Sequence, residues 1–335
     1  MKENEFRYYL QAYINGGCLS ASDKLLYLFS PQLVFQKNAS VIQSYFSKVE
    51  KNNTKGTENV QVKTSVYSGN NKFVVSMMHY LENHLSPYIA GAYVHGSIGT
   101  NEEIPYSDFD ALVILKNEVL NDARKLSVAA RLLNNARSIF FNMDPLQHHG
   151  WFVITERDLE HYPEAYFPPE LFRHAKSLMP GRGLELSLAL DSKTDFRSPL
   201  KDLCWSIEKK LKKEMYPASL YLLKNLLSEF MLLPALYVQA RNKKGIYKKF
   251  SFEEAKKDFT RDDWRIMDEV SVLRINWNGT VPAWKRKLIA SPRYFSFNLA
   301  KHFSPEIPNG LKEKLTGRFY DDMLAFTKRL SAEIK

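Results

Sequence analysis

Two short pieces of the chain carry residue types suited to chemistry. Gly96-Ser97 closes a short apolar strand, Ala90 to His95, and Asp108-Phe109-Asp110 opens another that continues through the apolar run Ala111 to Leu115. In a strand, residues i and i+2 point to the same face, so Asp108 and Asp110 project side by side while Phe109 turns into the core. Two carboxylates that close repel each other unless a cation sits between them. Hard oxygen ligands at this spacing suit Mg²⁺, which takes one or two protein carboxylates together with the phosphates of a substrate. Gly96 lets backbone approach a ligand, and Ser97 offers a hydroxyl and an N–H to a phosphate oxygen. The chemistry implied is metal-assisted phosphoryl transfer from a nucleotide.

Taken singly, each piece is common turn or strand-end chemistry. Their order is more specific, because one closes a strand and the other opens the next across a short polar loop. This arrangement resembles the nucleotidyltransferase fold of the DNA polymerase β superfamily, marked by G-S followed at similar spacing by D-x-D, over roughly Lys72 to Leu190. The resemblance implies a nucleoside triphosphate substrate and two Mg²⁺ ions held by Asp108, Asp110 and a third acid on a later strand. It also implies that Gly96 and Ser97 grip the β- and γ-phosphates while a nucleoside monophosphate, commonly AMP, moves to a hydroxyl and pyrophosphate leaves. Thr100 stands where a basic residue often follows the G-S.

Asp144 is the candidate for the third acid, as metal ligand and general base nearest the attacking oxygen. A helical pattern, Asn121 to Arg137, places Leu126, Ala129, Ala130, Leu133 and Ala136 on one face, and Ser138 to Asp144 then reads as a strand ending in an acid. The alternative is that Asp144 simply starts an Asp-Pro turn. Glu156 and Asp158 stand behind it as candidates.

The elements that must position these residues follow from periodicity. Residues 1 to about 50 read as helices, one capped at Ser20 to Asp23 and the next opened by Pro31. A polar stretch with one strand at Val60 to Val66 leads to an amphipathic helix, Asn71 to Leu85. His148-His149-Gly150 reads as a loop at the rim of the cleft, within reach of the nucleotide or its acceptor; adjacent histidines in a strand would face opposite ways, and no Cys pair lies nearby to complete a zinc site. Strands are expected at Trp151 to Thr155 and Leu184 to Leu190. Between them, Arg182 sits in a glycine-bracketed turn from which a guanidinium could reach a phosphate.

From Pro199 onward the pattern is helical. A charged helix, Asp202 to Glu214, precedes a long apolar one, Ala218 to Leu233, which Pro234 kinks or restarts. Ser251 to Glu254 reads as the cap of a further helix. The fold class is α+β: a small mixed-sheet nucleotidyltransferase domain with flanking helices, followed by an all-helical domain. The expected divisions are 1–60 (helical extension), 61–198 (nucleotidyltransferase) and 199–335 (helical domain).

Composition narrows the function classes. No apolar run approaches the roughly 18 residues that span a bilayer, the first residues lack a signal-peptide core, and Cys18 and Cys204 are too few for a disulfide framework, so a cytoplasmic protein is expected. Lys and Arg number 47 against 37 Asp and Glu, a net charge of +10, which favours polyanionic partners. The basic run Arg241 to Lys249 reads as a contact to triphosphate or RNA backbone, or as a solvated turn. A small-molecule hydroxyl is the preferred acceptor, because the helical second half resembles antibiotic-modifying adenylyltransferases. Transfer to RNA, tRNA or protein and a silent nucleotide-sensing module are the alternatives.

Overall fold

The computed structural model describes residues 2–49, 58–181, 183–190, 194–212, 216–291 and 296–333. Arg182 and the polar residues up to 57 lie outside them. Six strands form one mixed sheet: β1 (Glu58–Val66), β2 (Ile89–Val94), β3 (Ala111–Leu115), β4 (Phe152–Thr155), β5 (Lys176–Ser177) and β6 (Leu184–Leu190). Their spatial order is β4-β3-β2-β5-β1-β6. β2 and β3 pair antiparallel, whereas β3 and β4 run parallel with Leu112 opposite Phe152.

All five residues of β3 are buried, as expected of a central strand covered on both faces. Alternation divides them. Ala111, Val113 and Leu115 join Ala92, Val94 and Val153 under the helices Glu3–Gly16, Pro31–Lys48, Lys72–His84 and Ala123–Met143. Leu112 and Ile114 join Tyr93, Ile154, Phe167 and Phe172 on the opposite face. The N-terminal helices therefore share a core with the sheet. Their boundaries follow sequence signals: Ser20 and Asp23 make a reciprocal capping box, Pro31 opens Pro31–Lys48, and the side chains of Asn71 and Asp122 cap Lys72–His84 and Ala123–Met143.

A further core is built by the helices after residue 197, with Leu223, Leu227, Phe230, Trp264, Met267 and Phe326 among its members. The chain is thus α+β, a mixed sheet with flanking helices followed by a helical region. Among the described residues, no helix is long and apolar enough to cross a membrane.

Two sequence expectations are corrected here, and one is made definite. The strand expected at Ser138 to Asp144 is the last part of the helix Ala123–Met143. Phe140 and Phe141 extend the buried stripe of Leu133, Ala136 and Arg137 at helical spacing, and a short apolar run cannot declare its own period. The helix stops because Asp144, which precedes Pro145, adopts an extended conformation. Of the two outcomes expected at Pro234, the helix restarts: Leu220–Phe230 is followed by Leu233–Asn242, with Pro234 in the first turn of the second. Ser251 lies inside a helix, Lys248–Lys256, rather than at its cap, and its hydroxyl donates to the Lys248 carbonyl.

Candidate active site

Gly96, Ser97, Asp108 and Asp110 meet at the end of the β2/β3 ladder. The ladder continues one step past the strands, where His95 N–H donates to the Asp110 carbonyl at 3.0 Å. Gly96 has φ +67°, and a Cβ there would stand 2.7 Å from Asp110 Oδ2, so both the backbone and the space demand glycine. Ser97 opens the short helical turn Gly96–Gly99, and its hydroxyl lies 2.8 Å from that of Ser107. That contact folds the polar loop back on itself.

Asp108 to Asp110 precede β3 and belong to no strand. Their extended course is fixed instead by a side chain: fully buried Gln147 accepts from Phe109 N–H and donates to the Phe109 carbonyl, both at 3.0 Å. Phe109 is buried and stacks on Phe140 at 4.8 Å. Its two neighbours are turned the other way, on the same parity as Leu112 and Ile114, as i, i+2 geometry requires.

The carboxylates are met by nitrogen bases. His149 Nε2 lies 2.9 Å from Asp110 Oδ1 and 3.4 Å from Asp108 Oδ2, and His148 Nδ1 lies 3.6 Å from the same Asp108 oxygen. On the far side, Lys224 Nζ sits 2.5 Å from Asp108 Oδ1 and 2.8 Å from Asp144 Oδ2. Lys224 is buried in the helix Leu220–Phe230, its carbonyl accepts from the Tyr106 hydroxyl at 2.6 Å, and its ammonium lies 4.7 Å from the Tyr106 ring centre. Arg274 approaches the same ring at 4.6 Å.

The charges set one another. Burial works to raise Asp108, but Lys224 and the two histidines outweigh it and hold the carboxyl well below its usual range. Asp110 is likewise lowered: burial is outweighed chiefly by His149. Burial pushes Asp144 up to about 6, with Lys224 opposing and Asp108 adding to the rise. For His149, burial is overcome by Asp110 and Asp108, which push it up to about 10. Burial takes His148 down to about 4. Lys248 is lowered to about 8 by burial and by Arg274, against the pull of Asp110 and Asp108, which places its ammonium in the field of the same cleft.

The sequence candidates therefore converge, with qualifications. Asp144 reaches the site from a helix end and is joined to Asp108 through Lys224. Glu156 and Asp158 are engaged elsewhere, Glu156 accepting from Asn117 N–H at 2.9 Å and Asp158 capping its own turn while pairing with Arg7 at 2.5 Å. Two of the five basic residues of the run are committed as well. Arg241 pairs with Glu254 and Asp258 and Lys249 with Glu102, while Lys243 and Lys244 are exposed. Three residues that the sequence did not mark as functional complete the site, Lys224, Gln147 and Tyr106, beside Lys248 of the basic run. A lysine inside the run Leu220 to Leu227 was the one available signal, since a charge amid buried apolar neighbours needs a partner.

The donor set fits a divalent cation. The Asp108 carboxylate and two imidazoles share one small volume, with Asp110 beside His149, and His148 Nδ1 is buried with no hydrogen-bond partner.

No family model matches this chain, and no curated protein matches it. Among solved structures, it is similar to spectinomycin adenyltransferase AAD(9) from Enterococcus faecialis, determined with ATP and spectinomycin. The identity is 12%, the TM-score is 0.35, and the match covers 77% of this chain and 100% of that one.

Proposed function

We propose that this protein is a metal-dependent nucleotidyltransferase that moves a nucleoside monophosphate, AMP from ATP in the first instance, to a hydroxyl of a small molecule with release of pyrophosphate. One observation carries the reading: Asp108 and Asp110 both reach the same atom, His149 Nε2, and Asp110 lies against the side-chain-free face of Gly96. Carboxylates converging beside a glycine that admits backbone to a ligand are what a nucleotide-bound cation requires.

In this reading Asp108 and Asp110 hold the cation. When bound, a divalent ion there neutralises charge on the triphosphate and on the attacking and leaving oxygens. The N–H groups of Gly96 and Ser97 face the β- and γ-phosphates, as backbone donors at the start of a turn can. Lys248 and Arg274 supply positive charge from the helical side, and among the described residues neither makes an ion pair. Asp144, poised near 6, takes the proton of the acceptor hydroxyl. It remains a candidate third ligand only if Lys224 gives up its contact.

The small acceptor is preferred over RNA because Arg241 and Lys249 are already paired. The reading is tested by incubating the protein with each nucleoside triphosphate and a panel of hydroxyl acceptors, then reading pyrophosphate release and product mass. Release that requires Asp108 and an acceptor supports it; no release from any pair with folded protein rejects it.

A further inference from the structure

The parallel pairing of β3 with β4 has a consequence for the metal. With Leu112 opposite Phe152, the segments leading into the two strands run side by side, and His148 comes to lie beside Asp108, Nδ1 to Oδ2 at 3.6 Å. The segment beside the two carboxylates, where the neighbouring strand begins, therefore carries histidines rather than an acid. We infer that His148 and His149 are ligands of the cation, and that the site is built for a first-row divalent metal rather than Mg²⁺. This rests on the reading of Asp108 and Asp110 as a metal pair.

The geometry supports nitrogen ligation. Asp108 Oδ2 faces His149 Nε2 at 3.4 Å and His148 Nδ1 at 3.6 Å, separations too long for well-formed hydrogen bonds. They lie close to the roughly 3.0–3.4 Å between two ligands bound to one ion at about 2.1 Å. The 2.9 Å contact of His149 Nε2 with Asp110 Oδ1 is the one the cation would replace, with release of the imidazolium proton. The ligand atoms of Asp108, His148 and His149 all fall within 4.8 Å of one another. The rings stand 5.0 Å apart and nearly perpendicular, so they meet the shared space from different directions. His148 Nδ1 has no other partner. Lys224 occupies the opposite oxygen of Asp108, which leaves Oδ2 to the histidine side.

Chemistry then selects the ion. Mg²⁺ prefers oxygen ligands and dehydrates reluctantly, whereas imidazole favours the first-row divalent series. Two imidazoles beside two carboxylates tilt the site toward that series.

Mn²⁺ is the probe, because its bound fraction is counted by the loss of the free-ion electron paramagnetic resonance signal. Directly bound imidazole nitrogen also appears as ¹⁴N modulation of the electron spin echo. The full chain is expected to bind Mn²⁺ with ¹⁴N modulation and to release it only to a large excess of Mg²⁺. His149→Gln should weaken Mn²⁺ binding ~10-fold or more, since losses in the outer shell alone reach that size, and should remove most of the modulation. His148→Asn provides a second variant, and circular dichroism checks that each is folded. Bound Mn²⁺ without ¹⁴N modulation, or equal competition by Mg²⁺, overturns the inference; so does failure to bind Mn²⁺. Pyrophosphate release by the same samples separates the two readings. Release without nitrogen coupling rejects imidazole ligation alone, and coupling without release rejects nucleotidyl transfer alone.

Discussion

Gln147 holds the main chain of Phe109 from both sides, its amide oxygen and nitrogen each 3.0 Å from the Phe109 N–H and carbonyl. One side chain does here what a neighbouring strand does elsewhere in the sheet. Gln147→Leu keeps the volume and leaves two buried main-chain groups without partners. It is expected to cost about 1–3 kcal/mol of stability and to lower turnover further by loosening Asp108 and Asp110. Urea unfolding beside a pyrophosphate assay checks both; unchanged stability would mean that water or a shifted neighbour replaces the amide.

Asp108→Asn should abolish transfer, and it should also destabilise the protein. Relief of carboxylate repulsion predicts the reverse, but Lys224 and His149 already stand against these carboxylates. Removing one partner of a buried pair costs about 3–5 kcal/mol, and the lower end applies because Lys224 keeps Asp144. A melting temperature at or above that of the native protein would show that Lys224 does not need Asp108.

Lys248 is expected to separate from the rest of the basic run. Lys248→Ala should weaken binding of a non-hydrolysable ATP analogue about 10- to 100-fold, the range of a charge-assisted hydrogen bond of about 1.5–3 kcal/mol. Lys243→Ala with Lys244→Ala should leave that affinity unchanged, as both side chains are exposed. If the double variant instead flattened the salt dependence of single-stranded RNA binding by about one to one and a half log units, the acceptor would be RNA.

Away from the site, Asp23 gives a pH prediction. Its buried carboxylate accepts from Leu19 N–H, Ser20 N–H and Asn38 Nδ2 at 3.0 Å each, and from Lys37 at 2.8 Å. Burial alone would raise it, but these donors outweigh burial and hold it well below 3.8. A lowered carboxyl stabilises the fold above its unfolded value, and that contribution fades as pH falls below 3.8 toward the folded value. Asp23→Asn should therefore lower the urea midpoint at neutral pH, with the gap to the native protein narrowing below about pH 4. A gap of constant size would assign the effect to shape rather than charge.

The parts of the site that were legible in the sequence are those made by local pattern. Gly96, Ser97, Asp108 and Asp110 lie just past the end of one strand and just before the start of the next, so the two apolar strand patterns suffice to bring them together. Asp144 was a candidate for the wrong structural reason: it reaches the site from the end of a helix whose last turns mimic a strand in composition. Lys224 could not be placed, because 80 residues separate it from Asp144 and only the packing of the helical region joins them. The histidines were visible, but their function depends on the register of β4 beside β3, which no local pattern records. Arg182 lies outside the described residues and stays a sequence expectation.

The narrow middle of the sheet has a mechanical consequence. β5 contributes only Lys176 and Ser177, and through them β2 is joined to β1 and, beyond it, to β6. A tension applied at β6 would part the sheet along this two-residue seam before it disturbed β2 and β3. The ribbon β1–β6 should thus exchange its amide hydrogens as a unit, ahead of β2 and β3, whose ends position Gly96 and Asp110. The edge bearing β6 is accordingly the side on which added length or foreign sequence would be borne without cost to the carboxylates.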